Sequence, residues 1–105
     1  MNIKSLREHL ALKVMGCRKL SSEAGAYYKG EVNILVHAWK PDENIEQAMG
    51  CLDTFPYSEI VRDGKNGFVA RVVLNATGQY NFSVKNKIRT MAISLVSAKA
   101  TGWKE

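Results

Sequence analysis

The sequence predicts an α+β fold in which helices cover both faces of a small, largely antiparallel sheet, an α-β-α sandwich. Three stretches repeat apolar residues with the period of an amphipathic helix, and they alternate with runs rich in β-branched residues. In the run FVARVVL apolar side chains also fall on both faces of the strand. A sheet that is apolar on both faces must be covered on both, and three helices suffice for that.

The length and the composition indicate one domain over residues 1–105. A chain of this length is large enough for one core, and 46% hydrophobic with 24% charged residues is ordinary for a globular protein. The stretch MNIKSLREHLALKVMG interleaves charged and apolar residues, unlike a signal peptide or a membrane span. We therefore expect a cytoplasmic protein with no membrane partner and with Cys17 and Cys51 as free thiols.

The first half of the chain predicts a helix, then strands. In SLREHLALKVMG the apolar residues recur every four positions, with Ser5 available as the N-cap and Gly16 at the C-terminal end. The next stretch, CRKLSSEAGAYYKG, has a Ser/Gly-rich centre and predicts a loop or a hairpin. The run EVNILVHAW is rich in β-branched residues and predicts a strand that ends before Pro41.

The second half predicts a helix, a β-hairpin and a last helix. Asp42 can cap a helix that extends up to Phe55, before the breaker Pro56. Glu43 and Glu46 lie near its start, where they complement the helix dipole. The runs YSEIVR and FVARVVLN, joined by the glycine-punctuated DGKNG, predict the hairpin. The stretch KNKIRTMAISLVSAKA repeats apolar residues at helical spacing.

Three of these pieces carry a resemblance to a known family. ALKVMGC, WKPDENIEQAMGCLDTF and MAISLVSAKA resemble, in order and spacing, the small phage and prophage proteins of the phage ABA sandwich domain family. The likeness covers most of the chain, and its motifs are packing motifs. The resemblance implies a phage origin, hence the cytoplasm of a bacterial host, and an α-β-α fold, but no particular reaction.

Charge is unevenly distributed along the chain. The net charge is +5 and the pI is about 9.4. Residues 41–63 contain six acids and one Arg, whereas residues 64–105 contain seven Lys or Arg and one acid. Such opposite fields can pair internally, join two copies into a homo-oligomer, or present one face to an anionic partner.

The main candidate for a ligand-binding site is the stretch QYNFSVKNKIR. In a helix that begins here, Lys85, Lys87 and Arg89 lie in the first turns, where the positive end of the dipole disfavours cations. Tyr80 and Phe82, just upstream, offer stacking surfaces. Cations, aromatic rings and free N–H groups at a helix start suit a phosphate-bearing ligand or an acidic protein surface. The alternative is a solvated basic turn with Phe82 in the core.

His37 and Trp39 are further candidates at the exit of the predicted strand. The alternating strand and the packing motif favour a histidine in the core and a tryptophan that closes the core edge. In the alternative, a neutral imidazole that faces the helix start at Asp42 holds an anion or a nucleotide edge.

Catalytic and metal-binding patterns are absent from the sequence. The two His and two Cys lack the short paired spacings of zinc sites, and DGKNG lacks the G-x-x-x-x-G-K-S/T pattern of a phosphate loop. We therefore expect no metal, no cofactor, no catalytic residue and no enzymatic activity.

Two functional hypotheses remain from the sequence. The favoured one is a non-enzymatic phage binding protein that antagonises a bacterial host component, either a defence protein or an anionic signalling nucleotide, through the basic helix start. The alternative is a nucleic-acid-binding accessory protein of phage replication or regulation. The positive charge allows this alternative, although no recognised DNA- or RNA-binding motif occurs.

Overall fold

The structure is a computed structural model that describes residues 1–19, 25–30, 32–74 and 81–104. The described elements are, in chain order, α1 (Ile3–His9), β1 (Arg18–Lys19), β2 (Ala26–Lys29), β3 (Val32–Leu35), α2 (Ile45–Leu52), β4 (Tyr57–Arg62), β5 (Phe68–Val73), β6 (Phe82–Asn86) and α3 (Arg89–Ala100). The predicted α+β class and the predicted order of helix, strands, helix, hairpin and helix are confirmed.

Within the described ranges the strands form two antiparallel sheets of three strands each, in the orders β1-β2-β3 and β4-β5-β6. The expectation of one sheet is wrong, because no described residue of β1, β2 or β3 pairs with β4, β5 or β6. Strand β3 is also shorter than the run EVNILVHAW predicts. It ends at Leu35, and the N–H of Trp39 bonds back to the carbonyls of Leu35 and Val36 in a short 3-10 helix.

Helix α1 begins earlier than predicted. Asn2, rather than Ser5, is the N-cap, because its side-chain oxygen accepts a hydrogen bond from the N–H of Ser5 at 3.0 Å. The helix then continues over Leu10–Val14 in a π-helical form. Gly16 follows with φ of 72°, the left-handed conformation that ends many helices.

Helix α2 is capped by Asn44, whose side-chain oxygen accepts a hydrogen bond from the N–H of Gln47 at 3.1 Å. The prediction that Asp42 caps this helix is wrong. Asp42 is only 6% exposed, and its carboxylate pairs with Arg7 of α1. A partner from a distant element thus takes the carboxylate, while the neighbouring Asn44 supplies the local cap.

Helix α3 begins at Arg89, later than predicted, because the residues before it form β6. Strand β6 pairs with β5 residue by residue, and its side chains alternate between partly buried at 82 and 84 and exposed at 83 and 85. Pairing with β5 and a two-residue period therefore override the helical pattern across 85–88. Lys85 lies in a strand, Lys87 lies in the connection, and only Arg89 lies in the helix.

Helix α3 joins two hydrophobic clusters. Towards α1 and the first sheet it contributes Met91, Leu95 and Ala98. Towards β5, β6 and α2 it contributes Ala92, Ile93, Val96 and Ala100. In this arrangement α1 packs against α3. A central helix thus joins the two hydrophobic clusters.

Candidate functional site

The candidate site lies where the β4–β5 hairpin meets the connection between β6 and α3. DGKNG closes the hairpin, as predicted, with a 3-10 turn over Gly64–Asn66. At Gly67 φ is 96°, and a Cβ atom there would lie 2.5 Å from the carbonyl oxygen of Asn86 and 2.5 Å from Cα of Lys87. Because only glycine allows this conformation and this approach, the end of the hairpin packs directly on the β6–α3 backbone.

Five cationic residues belong to the segments that meet at this contact, and we call them the basic patch: Arg62, Lys65, Lys85, Lys87 and Arg89. Arg62 and Lys65 come from the hairpin, and the others come from β6 and the start of α3. A surface depression of about 370 Å³ is lined by three of these cations, from both segments, together with Phe68 and two glycines. The fold thus brings together cations from two segments that are distant in the sequence.

Phe68 lies in the middle of the basic patch. Its ring is partly buried and packs against the cluster of α2, α3 and β5. The guanidinium carbon of Arg62 lies 5.5 Å from the ring centroid, and that of Arg89 lies 5.8 Å from it. Each such contact stabilises a guanidinium group by roughly 0.5–1 kcal/mol at an exposed position. Phe68 therefore holds two like charges close together at the surface.

Most cations of the basic patch have no acidic partner among the described residues. Lys85 Nζ lies 3.0 Å from the Asp63 carboxylate. The other four cations form no ion pair with any acidic residue in the described ranges. Ionised donors that share one concave surface favour an anion that can accept several charge-assisted hydrogen bonds.

A second and larger cavity, of about 710 Å³, is bordered by α1 and β2, and we call it the α1 groove. Its lining includes Lys4, Arg7, Glu8, Lys19 and His37. Lys19 Nζ lies 2.8 Å from Glu8 Oε1, and Arg7 is paired with Asp42. Two of the cations of this groove are therefore neutralised within the fold.

The Arg7–Asp42 pair links several elements. Arg7 Nε and Nη2 donate to the two carboxylate oxygens of Asp42 at 2.7 and 2.9 Å. Burial raises the pKa of Asp42, but the hydrogen bond from Arg7 opposes this effect, and the pKa lies below its usual value. Thr90 Oγ1 donates to the Asp42 carbonyl, and Trp39 Nε1 donates to the Arg7 carbonyl at 2.8 Å. This pair is part of the framework that joins α1 to α3.

His37 and Trp39 do not line the depression of the basic patch. His37 is exposed in the 3-10 helix Val36–Ala38 and borders the α1 groove. The expectation of a core histidine is wrong because β3 ends before its alternation reaches this residue. Trp39 is 2% exposed and packs in the cluster around α1, as expected for a tryptophan at the edge of the core.

Among the remaining predicted site residues, Phe82 is partly buried and packs against the cluster of α2, α3 and β5. This position agrees with the alternative that placed Phe82 in the core. Tyr80 lies outside the described residues. Lys87 and Arg89 are brought together with Arg62 and Lys65, two cations that the sequence analysis missed. The sequence did indicate these two cations, because one lies on each side of Asp63-Gly64 in the predicted hairpin turn. Such a turn projects beyond the two strands that it joins. The side chain of Lys85 lies on the other face of the sheet and pairs with Asp63.

The two thiols and the potential metal ligands of the described residues show no arrangement typical of a catalytic centre. Cys17 and Cys51 are free and buried, and burial raises the pKa of both thiols, that of Cys51 to about 12. A thiol that stays protonated is a weak nucleophile. Within the described ranges no three His, Cys, Asp or Glu side chains group as metal ligands would. In the same ranges no helix has the length and apolar character needed to cross a membrane.

Comparison with solved structures finds a phage protein with the same fold. A phage protein from Bacillus cereus ATCC 14579, known from a 2.0 Å crystal structure, is similar with a TM-score of 0.68. The similarity covers 93% of this chain and 90% of that chain, at 18% sequence identity. No protein-family model and no curated protein matches the chain. At this identity the likeness concerns the fold, which is therefore one that a phage protein has.

Proposed function

We propose that this chain is a non-enzymatic, phage-type binding protein that captures an anionic component of a bacterial host through the basic patch. The observation that carries the proposal is the convergence of Arg62, Lys65, Lys87 and Arg89 on Phe68, with none of the four paired to a described acidic residue. Mutual repulsion among these cations is relieved when an anion binds between them.

Binding is favoured over catalysis because of the chemistry of the side chains at this surface. Guanidinium groups stay protonated and bind carboxylates or phosphates in a defined geometry. The carboxylate beside them, Asp63, is already paired with Lys85. The two thiols are buried in another part of the molecule. The basic patch thus contains groups that hold an anion and lacks, among its described residues, an unpaired base.

The proposal includes an origin and a place of action. The fold similarity to a phage protein supports a phage origin, and the packing motifs quoted above support membership of the phage ABA sandwich domain family. A protein of this kind acts in the cytoplasm of the bacterial host. There its target would be a defence protein or an anionic signalling nucleotide, which it would antagonise by sequestration.

A matched pair of triple variants tests the basic patch. Lys65→Gln/Lys87→Gln/Arg89→Gln removes three charges from it, and Lys13→Gln/Lys40→Gln/Lys104→Gln removes three exposed charges elsewhere. Fluorescence anisotropy with a labelled polyglutamate peptide, a labelled cyclic dinucleotide and labelled single-stranded DNA gives the affinities. The patch variant should bind its preferred probe at least about tenfold more weakly, because each charge-assisted contact contributes roughly 1.5–3 kcal/mol.

The control variant should retain most of that affinity. Equal weakening by both triple variants would mean that net charge alone attracts the probe, and the basic patch would then not be a site. Binding of DNA alone, with an affinity that falls steeply with salt, would favour the nucleic-acid-binding alternative. Salt-tolerant binding of polyglutamate or of the dinucleotide would favour a host protein or a signalling nucleotide.

A further inference from the structure

Among the described strands, β4 is at the edge of its sheet, and the side of β4 that faces away from β5 pairs with no described strand. We call this side the open edge, and it ends at the basic patch. In an antiparallel pair, residues that exchange hydrogen bonds with the partner strand alternate with residues that do not. The N–H of Asp63 donates to the carbonyl of Gly67 at 2.7 Å, and the β4–β5 register continues unbroken from that pair to Tyr57 opposite Val73. Residues 57, 59 and 61 therefore direct their backbone groups towards β5, and residues 58, 60 and 62 direct theirs towards the open edge.

The two faces of β4 differ. One face packs on the hydrophobic core, and the other exposes apolar side chains to solvent. Ile60 packs against the cluster of α2, α3 and β5, so the strand is held on the sheet. Tyr57 and Val61, on the opposite face, are 57% and 44% exposed. Exposed edge strands commonly contain Lys or Pro as protection against pairing with another chain. Within Tyr57–Arg62 neither residue occurs, and the one cation is at the end.

The charge around the open edge selects the chemistry of a partner. Arg62 is the last residue of β4, and Lys65 and Lys87 lie beyond it around the same depression. An extended segment that paired with β4 and continued past Arg62 would pass these cations. The opposite edge strand, β6, differs, because it exposes Ser83 and Lys85 and presents no exposed large apolar side chain.

We propose that β4 receives an extended, acidic segment of a partner protein as an added strand, with its carboxylates on the basic patch. The inference rests on the proposed function and names the class of the anionic partner. Backbone hydrogen bonds to residues 58, 60 and 62 supply affinity, and Tyr57 and Val61 accept apolar side chains. The cations then select acidic sequences.

A second copy of this chain fits the edge less well. Two-fold antiparallel pairing that uses the whole open edge centres on Ile60 and places Arg62 opposite Ser58 of the other copy. In that register Glu59 and Asp63 of the other copy lie opposite Val61 and Tyr57, on the face of the sheet away from Arg62, and each already pairs with a cation of its own copy. An acidic segment neutralises the cations of the basic patch that lack a described acidic partner, and complementarity of charge therefore favours it.

The test uses a synthetic peptide of alternating Glu and Val with blocked termini, and two copies of it with N-methyl groups on alternate backbone nitrogens. One copy is methylated at Glu and the other at Val, so each blocks one edge of the peptide strand. Affinities for the wild-type protein are measured by isothermal titration calorimetry. We expect the unmodified peptide to bind, one methylated copy to lose at least about tenfold in affinity, and the other to bind nearly as well, since only one edge faces β4.

Amide hydrogen exchange followed by NMR locates the contact. The unmodified peptide should slow exchange of the Ser58, Ile60 and Arg62 amides, which face the open edge. The amides of residues 59 and 61 already face β5 and should change little.

Each other outcome has a defined meaning. Equal affinity of all three peptides for the wild type, or equal loss from both methylated copies, would overturn strand addition. If Lys65→Gln/Lys87→Gln/Arg89→Gln also bound those peptides more weakly than the wild type does, the basic patch would still be an anion-binding site. Binding of single-stranded DNA without binding of any peptide would overturn the acidic-segment proposal. It would favour the alternative in which the basic patch binds nucleic acid. Failure of every anionic probe to bind would overturn both proposals.

Discussion

The α1 groove and the basic patch contain similar side chains in opposite electrostatic states. In the α1 groove, Arg7 and Lys19 lie 2.7 and 2.8 Å from acidic oxygens. In the basic patch, Lys85 has such a partner and the other four cations have none among the described residues. A cation paired within the fold helps to hold the fold, whereas unpaired cations gathered on one surface remain able to bind a partner. The larger cavity therefore has the more fully paired charges, and the smaller depression has the cations that lack a described acidic partner.

The largest loss of stability is expected from a change in the α1 groove, where Arg7 is paired with Asp42. Arg7→Ala should lower the free energy of unfolding by about 3 kcal/mol, because it leaves the buried Asp42 carboxylate without its guanidinium partner. Chemical denaturation gives the value. Arg62→Ala in the basic patch is the matched control and should cost less than about 1 kcal/mol. Similar losses from the two variants would remove the distinction between the regions.

The next largest effect is a loss of binding affinity with little change in stability. Lys65→Gln/Lys87→Gln/Arg89→Gln should leave the free energy of unfolding within about 1 kcal/mol of the wild type, since exposed unpaired cations contribute little to folding and the contact of Arg89 with Phe68 contributes roughly 0.5–1 kcal/mol. Loss of Arg89 also removes a cation from the positive end of α3. Affinity for the anionic probe should still fall at least about tenfold. A clear drop in thermal stability with unchanged affinity would assign the basic patch a structural role.

A smaller effect is expected on how stability depends on pH, and it comes from His9 in α1. His9 Nε2 lies 2.7 Å from Thr101 Oγ1. Burial, followed by the charge of Lys13, lowers the pKa of His9. The folded state then disfavours the protonated imidazole. The contribution of His9 to stability is therefore fully present above the pKa of an unfolded histidine, about 6.5, and is lost as the pH falls below that pKa.

Melting temperatures measured between about pH 7 and pH 5 test this dependence. The decrease should be smaller in His9→Gln than in the wild type. His37→Gln, which changes an exposed histidine, serves as the control and should follow the wild-type curve. An identical curve for His9→Gln would show that another group causes the dependence.

The smallest effect on stability is expected from the ion pair of the basic patch. Asp63→Asn removes the partner of Lys85, and a partly exposed pair of this kind contributes about 0–1 kcal/mol. Affinity for the polyglutamate probe should rise, because the end of the hairpin loses its carboxylate and Lys85 loses its partner. Weaker binding would mean that Asp63 itself positions the site.

Several features of the fold could be predicted from local sequence because the local signal and the tertiary contacts agree. The hairpin is one example: glycines in DGKNG separate two strand-like runs, and the structure turns there. The boundary between β6 and α3 could not be predicted, since Phe82, Val84 and Ile88 fit either period in part. Pairing with β5 decides in favour of the strand and leaves Ile88 57% exposed, outside the helix.

The candidate site was predicted in part for a related reason. Lys85, Lys87 and Arg89 are close in sequence, so their charge is visible in one stretch. Arg62 and Lys65 join them only because the backbone approaches closely at Gly67, a contact that no local pattern encodes. For Asp42 the local cap signal was present, but Arg7, 35 residues away, took the carboxylate and Asn44 capped the helix.

The position of α3 between the two clusters has a consequence for how the protein folds. Residues 89–100 follow every other described element in the chain, yet both clusters need them. During synthesis, neither half of the core can close until this segment has emerged, so the earlier elements wait with apolar surface in water. The hydrogen bond between His9 and Thr101 joins positions 92 residues apart, and contacts of such separation slow the search for the native state. This domain should therefore fold as one unit and late, and chaperones would have their longest access to it before α3 docks.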